Sequence, residues 1–186
     1  MLKSIFSEEF YFARHGETEY NSEGIVSGDW DIPLSSQGIV HSLAVSDLVA
    51  KLGIASAFCS PLSRAVDTAR YLLSKTSVTP IVLNNLKERH WGNLQGVSKT
   101  LLTDYDFVEN NVEDWKLFSD RTLLALKDIV SKPPVLIVAH SGTFRVLLAY
   151  LKINLEKKQV KNSYPYRFFK KGKFWNVTEV KDAFPN

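Results

Sequence analysis

The sequence predicts an α/β fold, a three-layer α/β/α arrangement in which helices cover both faces of a mostly parallel central sheet. Short apolar runs alternate along the 186 residues with longer segments whose apolar residues recur at helical spacing. The run at residues 135–139 contains no polar residue, which is typical of a strand buried on both faces. With no internal repeat and no evident linker, one domain over residues 1–186 is expected.

Local patterns place the individual elements. Strands are expected at residues 10–13, 55–59, 81–83 and 135–139, where short apolar runs occur. Helices are expected at residues 37–52, 114–130 and 143–151, and another from Pro61, with Ser60 as its N-cap. Residues 167–170 and 173–180, joined by Lys171 and Gly172, are expected to form two further strands.

Composition excludes several classes of protein. Hydrophobic residues make up 45% and charged residues 23%, which is ordinary for a globular chain and argues against disorder or a coiled-coil array. Cys59 is the single cysteine, so no intramolecular disulfide is possible, which fits a reducing compartment. No apolar run approaches the roughly 20 residues of a membrane helix, and no signal peptide is evident. We therefore expect a cytoplasmic protein without a membrane partner.

The positive charge of the chain is concentrated near its end. Residues 150–186 hold nine Lys and Arg against three Asp and Glu, whereas the whole chain has a net charge of only +3. Basic residues interleaved with aromatic ones can bind nucleic acid. The favoured interpretation is a sheet edge, where lysines prevent edge-to-edge aggregation. No nucleic-acid partner is therefore expected.

Reactive side chains follow three of the predicted strands directly. Arg14 and His15 follow the first strand, Ser60 and Arg64 follow the second, and His140 follows residues 135–139. In parallel sheets ligands bind beyond the carboxyl ends of the strands. Arginine matches a phosphoryl group because its planar fork bonds two oxygens. The pattern indicates a phosphate site.

Ordered motifs around these residues resemble the histidine phosphatase superfamily, which includes the cofactor-dependent phosphoglycerate mutases. The resemblance covers about residues 8–152 and is carried by Arg14-His15-Gly16-Glu17-Thr18, Asn21, Gly28, Asp31, Pro33-Leu34-Ser35, Gly38, Ser60-Pro61-Leu62-Ser63-Arg64-Ala65, Thr68-Ala69, Leu86, Glu88, Gly92, Gly96, Val138-Ala139-His140-Ser141-Gly142 and Arg145. It implies a phosphoglycerate mutase-like fold.

The resemblance also implies roles for residues of this chain. His15 is the expected nucleophile, and Glu88 the expected general acid and base. The other residues expected at the site, as catalytic or phosphate-binding groups, are Arg14, Asn21, Arg64, His140 and Ser141. The physics agrees, because cations near a histidine lower its pKa and stabilise the equatorial oxygens during transfer. Two arginines and a second histidine can do this without a metal ion, so no metal is expected.

Two reactions remain open after transfer to His15. Water acts as the acceptor in a phosphatase, whereas a mutase returns the group to another hydroxyl. The block from Glu88 to Gly96, with Lys99 beyond it, resembles the mutases, in which Arg89, Trp91 and Lys99 would hold the substrate. Only 43 residues separate Gly96 from His140, however, and no adjacent Arg pair lies between residues 101 and 131. We favour hydrolysis of a small phosphomonoester, with 3- and 2-phosphoglycerate interconversion as the alternative.

A third alternative belongs to another class. The chain could bind phosphate esters or phosphoproteins without turning them over. The expected partner is a small phosphorylated metabolite, and the expected assembly is a monomer or a homodimer. No cofactor is expected; 2,3-bisphosphoglycerate would serve as priming phosphoryl donor only in a mutase.

Overall fold

The computed structural model describes residues 1–101, 111–154 and 160–180. The strands in these residues are β1 (Lys3–Ser4), β2 (Phe10–Arg14), β3 (Ser56–Cys59), β4 (Ile81–Val82), β5 (Val130–Ser131), β6 (Val135–Ala139), β7 (Pro165–Lys171) and β8 (Phe174–Glu179). The α-helices are α1 (Glu19–Ser22), α2 (Ser36–Ala44), α3 (Ser46–Lys51), α4 (Ser63–Leu72), α5 (Trp115–Lys127) and α6 (Ser141–Tyr150). Short 3₁₀ turns lie at Ile5–Ser7, Asn84–Leu86, Gly92–Leu94 and Lys99–Leu101.

One central sheet carries the fold. Within the described residues it contains six strands in the order β4-β3-β6-β2-β7-β8. Strands β4, β3, β6 and β2 run parallel to one another, and β7 and β8 are added antiparallel beside β2. The mostly parallel sheet expected from the sequence is confirmed. Its three strands β3, β6 and β2 bring three carboxyl ends side by side at one edge.

The two faces of this sheet are covered by different helices. Phe12 and Ile137 point to one face, where they pack with residues of α5 and α6 such as Leu126 and Leu147. The neighbouring residues Ala13 and Val138 point to the other face, which is covered by α3 and α4. Alternate strand residues thus enter two separate cores, because successive side chains of a strand point to opposite faces. The three-layer α/β/α prediction is therefore confirmed.

Several helix boundaries differ from the expectation. The helix expected at residues 114–130 ends at Lys127, and Val130 lies in strand β5. The helix expected at residues 143–151 begins at Ser141. The segment 37–52 forms two helices, α2 and α3, with Val45 between them. The Ser46 hydroxyl donates to the carbonyl of Leu43 at 2.6 Å, a local bond that competes with the regular helical pattern. The helix expected from Pro61 begins two residues later, at Ser63.

The start of α4 is capped from a distant loop. Ser60 is not its N-cap. Instead the Asp31 carboxylate accepts from the backbone N–H of Ser63 at 2.7 Å and from its hydroxyl at 2.8 Å. A carboxylate at this end also complements the helix dipole. The loop that contains Asp31 is thereby tied to the first turn of α4.

The basic end of the chain forms the antiparallel hairpin of β7 and β8, as expected. Several of its cations are engaged within the protein: Arg167 pairs with Glu9, and Lys161 lies 2.8 Å from Glu179. Lys170 lies over the ring of Trp175. These contacts favour the sheet-edge interpretation of the basic segment. In the part of the chain that the structure describes, no helix is both long and apolar enough to span a membrane.

Candidate active site

Three strand ends meet at the candidate site. Strands β2 and β6 are parallel neighbours, and the backbone N–H of His15 continues their ladder by donating to the carbonyl of Ala139 at 2.8 Å. On the other side of β6, the N–H of Ser60 donates to the carbonyl of Val138 at 3.0 Å. The rings of His15 and His140 are consequently only 5.2 Å apart, centre to centre. The structure thus brings together residues that lie 125 positions apart in the chain.

His15 is held as a neutral, oriented imidazole. Its Nδ1 lies 2.7 Å from the carbonyl oxygen of Gly16, and since a carbonyl only accepts, Nδ1 carries the proton. The lone pair of the ring therefore sits on Nε2. Burial, followed by the charges of Arg64 and Arg14, holds the pKa of His15 well below its usual range. A neutral ring with a defined lone pair is the form that can attack a phosphorus atom.

His140 is fully buried and is oriented by Ser60. Its Nε2 lies 2.7 Å from the Ser60 hydroxyl, which also accepts from the backbone N–H of Leu62 at 3.4 Å. When the Ser60 hydroxyl donates to Nε2, the ring proton lies on Nδ1, and this tautomer leaves Nδ1 as a donor for a ligand. Burial and the charge of Arg64 hold the pKa of His140 well below its usual range. In this tautomer His140 is a neutral ring that can donate from Nδ1.

Arg14 and Arg64 supply the positive charge of the site. Nη1 and Nη2 of Arg64 donate to the carbonyls of Trp30 at 2.6 Å and Gly28 at 2.8 Å. Nη1 of Arg14 donates to the carbonyl of Val160 at 3.3 Å. Burial lowers the pKa of Arg64 to about 10 and lowers that of Arg14, and both remain cations at neutral pH. The carbonyl contacts fix both guanidinium planes.

Three of the buried polar atoms that have no hydrogen-bond partner in the described protein belong to residues of this site. They are Nε of Arg14, Nε of Arg64 and Nδ1 of His140. An unpaired buried donor is costly, and each additional one adds to that cost. The charges of Arg14 and Arg64 act on both His15 and His140. This set of donors matches the oxygens of a bound tetrahedral anion.

Glu88 lies at the same site and receives bonds from two directions. Its Oε1 accepts from the backbone N–H of Arg89 at 2.8 Å, and its Oε2 accepts from the backbone N–H of Gly142 at 3.1 Å. Its charge acts on both Arg14 and Arg64. Gly142 belongs to the first turn of α6, so Glu88 also serves that helix as a capping group. The carboxylate is therefore buried and fixed beside the anion-binding donors.

The sequence profile of the histidine phosphatase superfamily (branch 1) matches residues 10–164. That span holds every residue of the site just described. The chain belongs to the histidine phosphatase superfamily.

Proteins similar to this chain carry the names of different activities. The chain is 33% identical over 158 residues to a 2,3-bisphosphoglycerate-dependent phosphoglycerate mutase of Rhizobium etli, which covers 72% of this chain and 75% of the mutase. It is 31% identical over 183 residues to agropine synthesis reductase of Rhizobium rhizogenes, a match that covers 91% of this chain but only 41% of that protein. A mycobacterial glucosyl-3-phosphoglycerate phosphatase has the same fold, with a TM-score of 0.78 at 24% identity over 92% of this chain and 98% of that one.

Asn21 and Ser141 occupy the edge of this histidine phosphatase site. The Asn21 carboxamide oxygen accepts from the backbone N–H of Thr18 at 3.3 Å and from Nδ2 of Asn162 at 3.3 Å. The same Asn162 amide donates to the carbonyl of His15 at 2.8 Å. The Ser141 hydroxyl lies 3.5 Å from Oε2 of Glu88. Asn162 lies in no motif, and its approach to the site from the final connection was expected without a defined role; the structure shows that it holds the backbone of His15.

The expectation that Arg89 and Trp91 contact a substrate stays a prediction, and in the structure both side chains are buried beside the loop that carries Glu88. Arg89 is fully buried, and its Nε donates to the carbonyl of Glu113 at 2.7 Å. Its guanidinium lies 4.8 Å from the centre of the Trp91 ring. Trp91 packs in a small apolar cluster with Val26 and Val112. Both side chains therefore support the loop that carries Glu88.

Lys99 differs from these two residues, because it is exposed and its charge reaches the site. Desolvation and the charge of Arg14 lower the pKa of Lys99. The Lys99 charge in turn contributes to the low pKa of His15. Its backbone N–H donates to the carbonyl of Gly24 at 2.8 Å, which joins the loop around Lys99 to the loop after α1. The charge of Lys99 thus acts on His15, and contact of Lys99 with a substrate stays a prediction.

Proposed function

We propose that this chain hydrolyses a small phosphomonoester through a phosphohistidine at His15. The observation that carries the proposal is the position of the His15 ring beside three buried donors that lack a protein partner, on Arg14, Arg64 and His140. A phosphoryl group at this point would satisfy all three. It would also lie within reach of Nε2 of His15.

The first half of the reaction forms the phosphohistidine. Nε2 of His15 attacks phosphorus, a P–N bond forms, and the P–O bond to the leaving group breaks. Glu88 enters the cycle protonated and gives its proton to the leaving oxygen. Arg14, Arg64 and His140 stabilise the charge on the equatorial oxygens of the transferring group. Asn21, Ser141 and Lys99 are proposed as further contacts at the rim.

The second half transfers the group to water. Glu88, now ionised, takes a proton from a water molecule, and the water oxygen attacks phosphorus. The P–N bond breaks, inorganic phosphate is released, and the electron pair returns to Nε2 of His15. Glu88 is again protonated at the end, so the cycle closes without a metal ion or cofactor.

The surroundings of Glu88 favour hydrolysis over the mutase reaction. A mutase must retain its product with additional contacts. Arg89 and Trp91, which the resemblance to mutases would assign to that task, are buried and engaged with Glu113 and with each other. No adjacent Arg pair lies between residues 101 and 131 to replace them.

A phosphoglycerate mutase is a second candidate, because the Rhizobium etli relative has that name and the charge of Lys99 acts on His15. In either case the proposed ligand is a small phosphorylated metabolite. The proposed assembly is a monomer or a homodimer. No nucleic-acid or membrane partner is proposed. We also propose a cytoplasmic location, which the single, buried Cys59 supports.

Phosphorus NMR separates these functions. The chain is incubated with 4-nitrophenyl phosphate, and separately with 3-phosphoglycerate and a trace of 2,3-bisphosphoglycerate. Release of inorganic phosphate supports the phosphatase, and formation of 2-phosphoglycerate supports the mutase. The acid-labile phosphohistidine should form in the wild type and in His41→Ala, an exposed control on α2, but not in His15→Ala. Binding of phosphate esters without any turnover would indicate the non-catalytic alternative and overturn the proposal.

A further inference from the structure

An arginine outside the proposed phosphate site holds the segment that carries Glu88. Arg121 extends from α5, and 25% of its side chain is exposed. Its Nη1 donates to the carbonyls of Asn85 at 3.0 Å and Lys87 at 2.7 Å, and its Nη2 donates to the carbonyl of Glu88 at 3.1 Å. The guanidinium thus contacts the backbone of the proposed acid itself.

The remaining donors of Arg121 are taken by one carboxylate. Nε lies 2.6 Å from Oε1 of Glu113, and Nη2 lies 2.8 Å from Oε2. An arginine has five N–H donors, and here each of them has an acceptor. Oε2 of Glu113 also accepts from the backbone N–H of His90 at 3.1 Å, so the pair spans the segment from Asn85 to His90. Because every donor of the Arg121 guanidinium is bonded, both its orientation and its distance from the segment Asn85 to His90 are fixed.

The segment from Asn85 to His90, which Arg121 and Glu113 hold, has little regular secondary structure. After the 3₁₀ turn at Asn84–Leu86 it runs without strand pairing until the next 3₁₀ turn at Gly92–Leu94. A loop of this kind is normally among the more mobile parts of a fold. A general acid needs the opposite, because proton transfer in the transition state requires a donor held in hydrogen-bond reach of the leaving oxygen.

We infer that Arg121 is a positioning residue that sets the location of the Glu88 carboxyl for proton transfer. The inference rests on the proposed function, since it concerns the acid of that reaction. Arg121 does not touch the phosphoryl group; it acts through three backbone carbonyls and through Glu113. Its loss should therefore weaken protonation of the leaving oxygen much more than binding of the phosphoryl group.

A pair of aryl phosphates tests this distinction. 4-Nitrophenolate departs without needing a proton, whereas the phenolate of phenyl phosphate is a much stronger base and does. The measurement is the rate of phenol release in a single turnover, which isolates the first half of the reaction from hydrolysis of the phosphohistidine. The observable is the ratio of the two rates, nitrophenyl over phenyl, for each variant.

Arg121→Lys keeps the charge and removes the planar fork. We expect the rate with phenyl phosphate to fall about tenfold and the rate with 4-nitrophenyl phosphate to stay unchanged, so that the ratio rises about tenfold. The reason is that proton donation by a positioned group accelerates a reaction by about 10²–10⁴-fold. Glu88→Gln should raise the ratio more, and Arg70→Lys, the same change at an exposed position on α4, should leave it unchanged. Glu113→Gln, which keeps the acceptor shape but weakens its grip on Arg121, should give a smaller rise.

The outcomes distinguish the positioning role of Arg121 from the role of Glu88 as the general acid. An equal loss on both substrates in Arg121→Lys, or no loss on either, would overturn the positioning role. A ratio unchanged by Glu88→Gln would instead overturn Glu88 as the acid, and with it the proposed chemistry. If Arg121→Lys does not fold, Glu113→Gln decides the question, because an unchanged ratio in that folded variant contradicts the inference.

Discussion

Two buried imidazoles make the stability of this fold depend on pH. Burial and neighbouring cations hold the pKa of His15 and of His140 well below the ordinary value of 6.5. In the unfolded chain both rings take up a proton as the pH falls through that value, whereas in the folded chain they remain neutral. Because the unfolded state then binds more protons, stability is full above pH 6.5 and is lost as the pH falls below it.

The size of this loss of stability follows from the protons that the two histidines take up in the unfolded chain. For a ring that stays neutral in the folded state, lowering the pH from 7 to 5.5 reduces the free energy of unfolding by about 1.3 kcal/mol. The two rings together give about 2.5 kcal/mol, a large fraction of the stability of an ordinary domain. The value is an upper bound, reached when both folded pKa values lie well below 5.5.

Urea unfolding, followed by tryptophan fluorescence at pH 7 and pH 5.5, measures this loss. The comparison is between the wild type and a double variant, His15→Asn with His140→Asn, in which neither position titrates. Groups that titrate elsewhere contribute equally to both proteins and cancel in the difference. We expect the wild type to lose more than the double variant, by up to about 2.5 kcal/mol. Equal losses would refute the conclusion that the two rings are buried as neutral groups.

Three further predictions concern the site and its supports. Gly38→Ala places a Cβ 2.2 Å from the carbonyl oxygen of Glu17, so urea unfolding should show a loss of about 2 kcal/mol, and an unchanged midpoint would contradict this packing. Inorganic phosphate should raise the melting temperature of the wild type and raise that of Arg14→Ala much less; equal shifts would place the anion elsewhere. Ser60→Ala removes the hydroxyl that sets the proton on His140, so kcat for 4-nitrophenyl phosphate should fall about tenfold with little change in KM, and full activity would exclude this role.

The positions of the reactive residues were predictable because strand ends are visible in the sequence. The apolar run at residues 135–139 corresponds to β6 without an error in its bounds, and His140 follows it directly. Parallel strands then bring residues such as His15 and His140 to one edge, whatever lies between them. This part of the prediction depends only on the period of apolar residues and on one rule of topology.

The direction in which a loop side chain points was not predictable in the same way. Arg89 could be a surface cation or a substrate ligand on the sequence alone, and the structure buries it against the carbonyl of Glu113. Arg121 left no sequence signal, because its partners are mainly backbone carbonyls, which every residue has. Ser60 resembles an N-cap locally, but a tertiary partner, His140, takes its hydroxyl.

The central position of β2 has a consequence for the synthesis of this protein. The strand ends at Arg14, whereas its partners β6 and β7 begin only at Val135 and Pro165. Until those residues have been synthesised, the apolar β2 has both hydrogen-bonding edges exposed, the condition under which nascent chains aggregate. A ribosome stalled before residue 135 presents such a chain, whereas synthesis through Lys171 supplies first the partner of one edge and then that of the other.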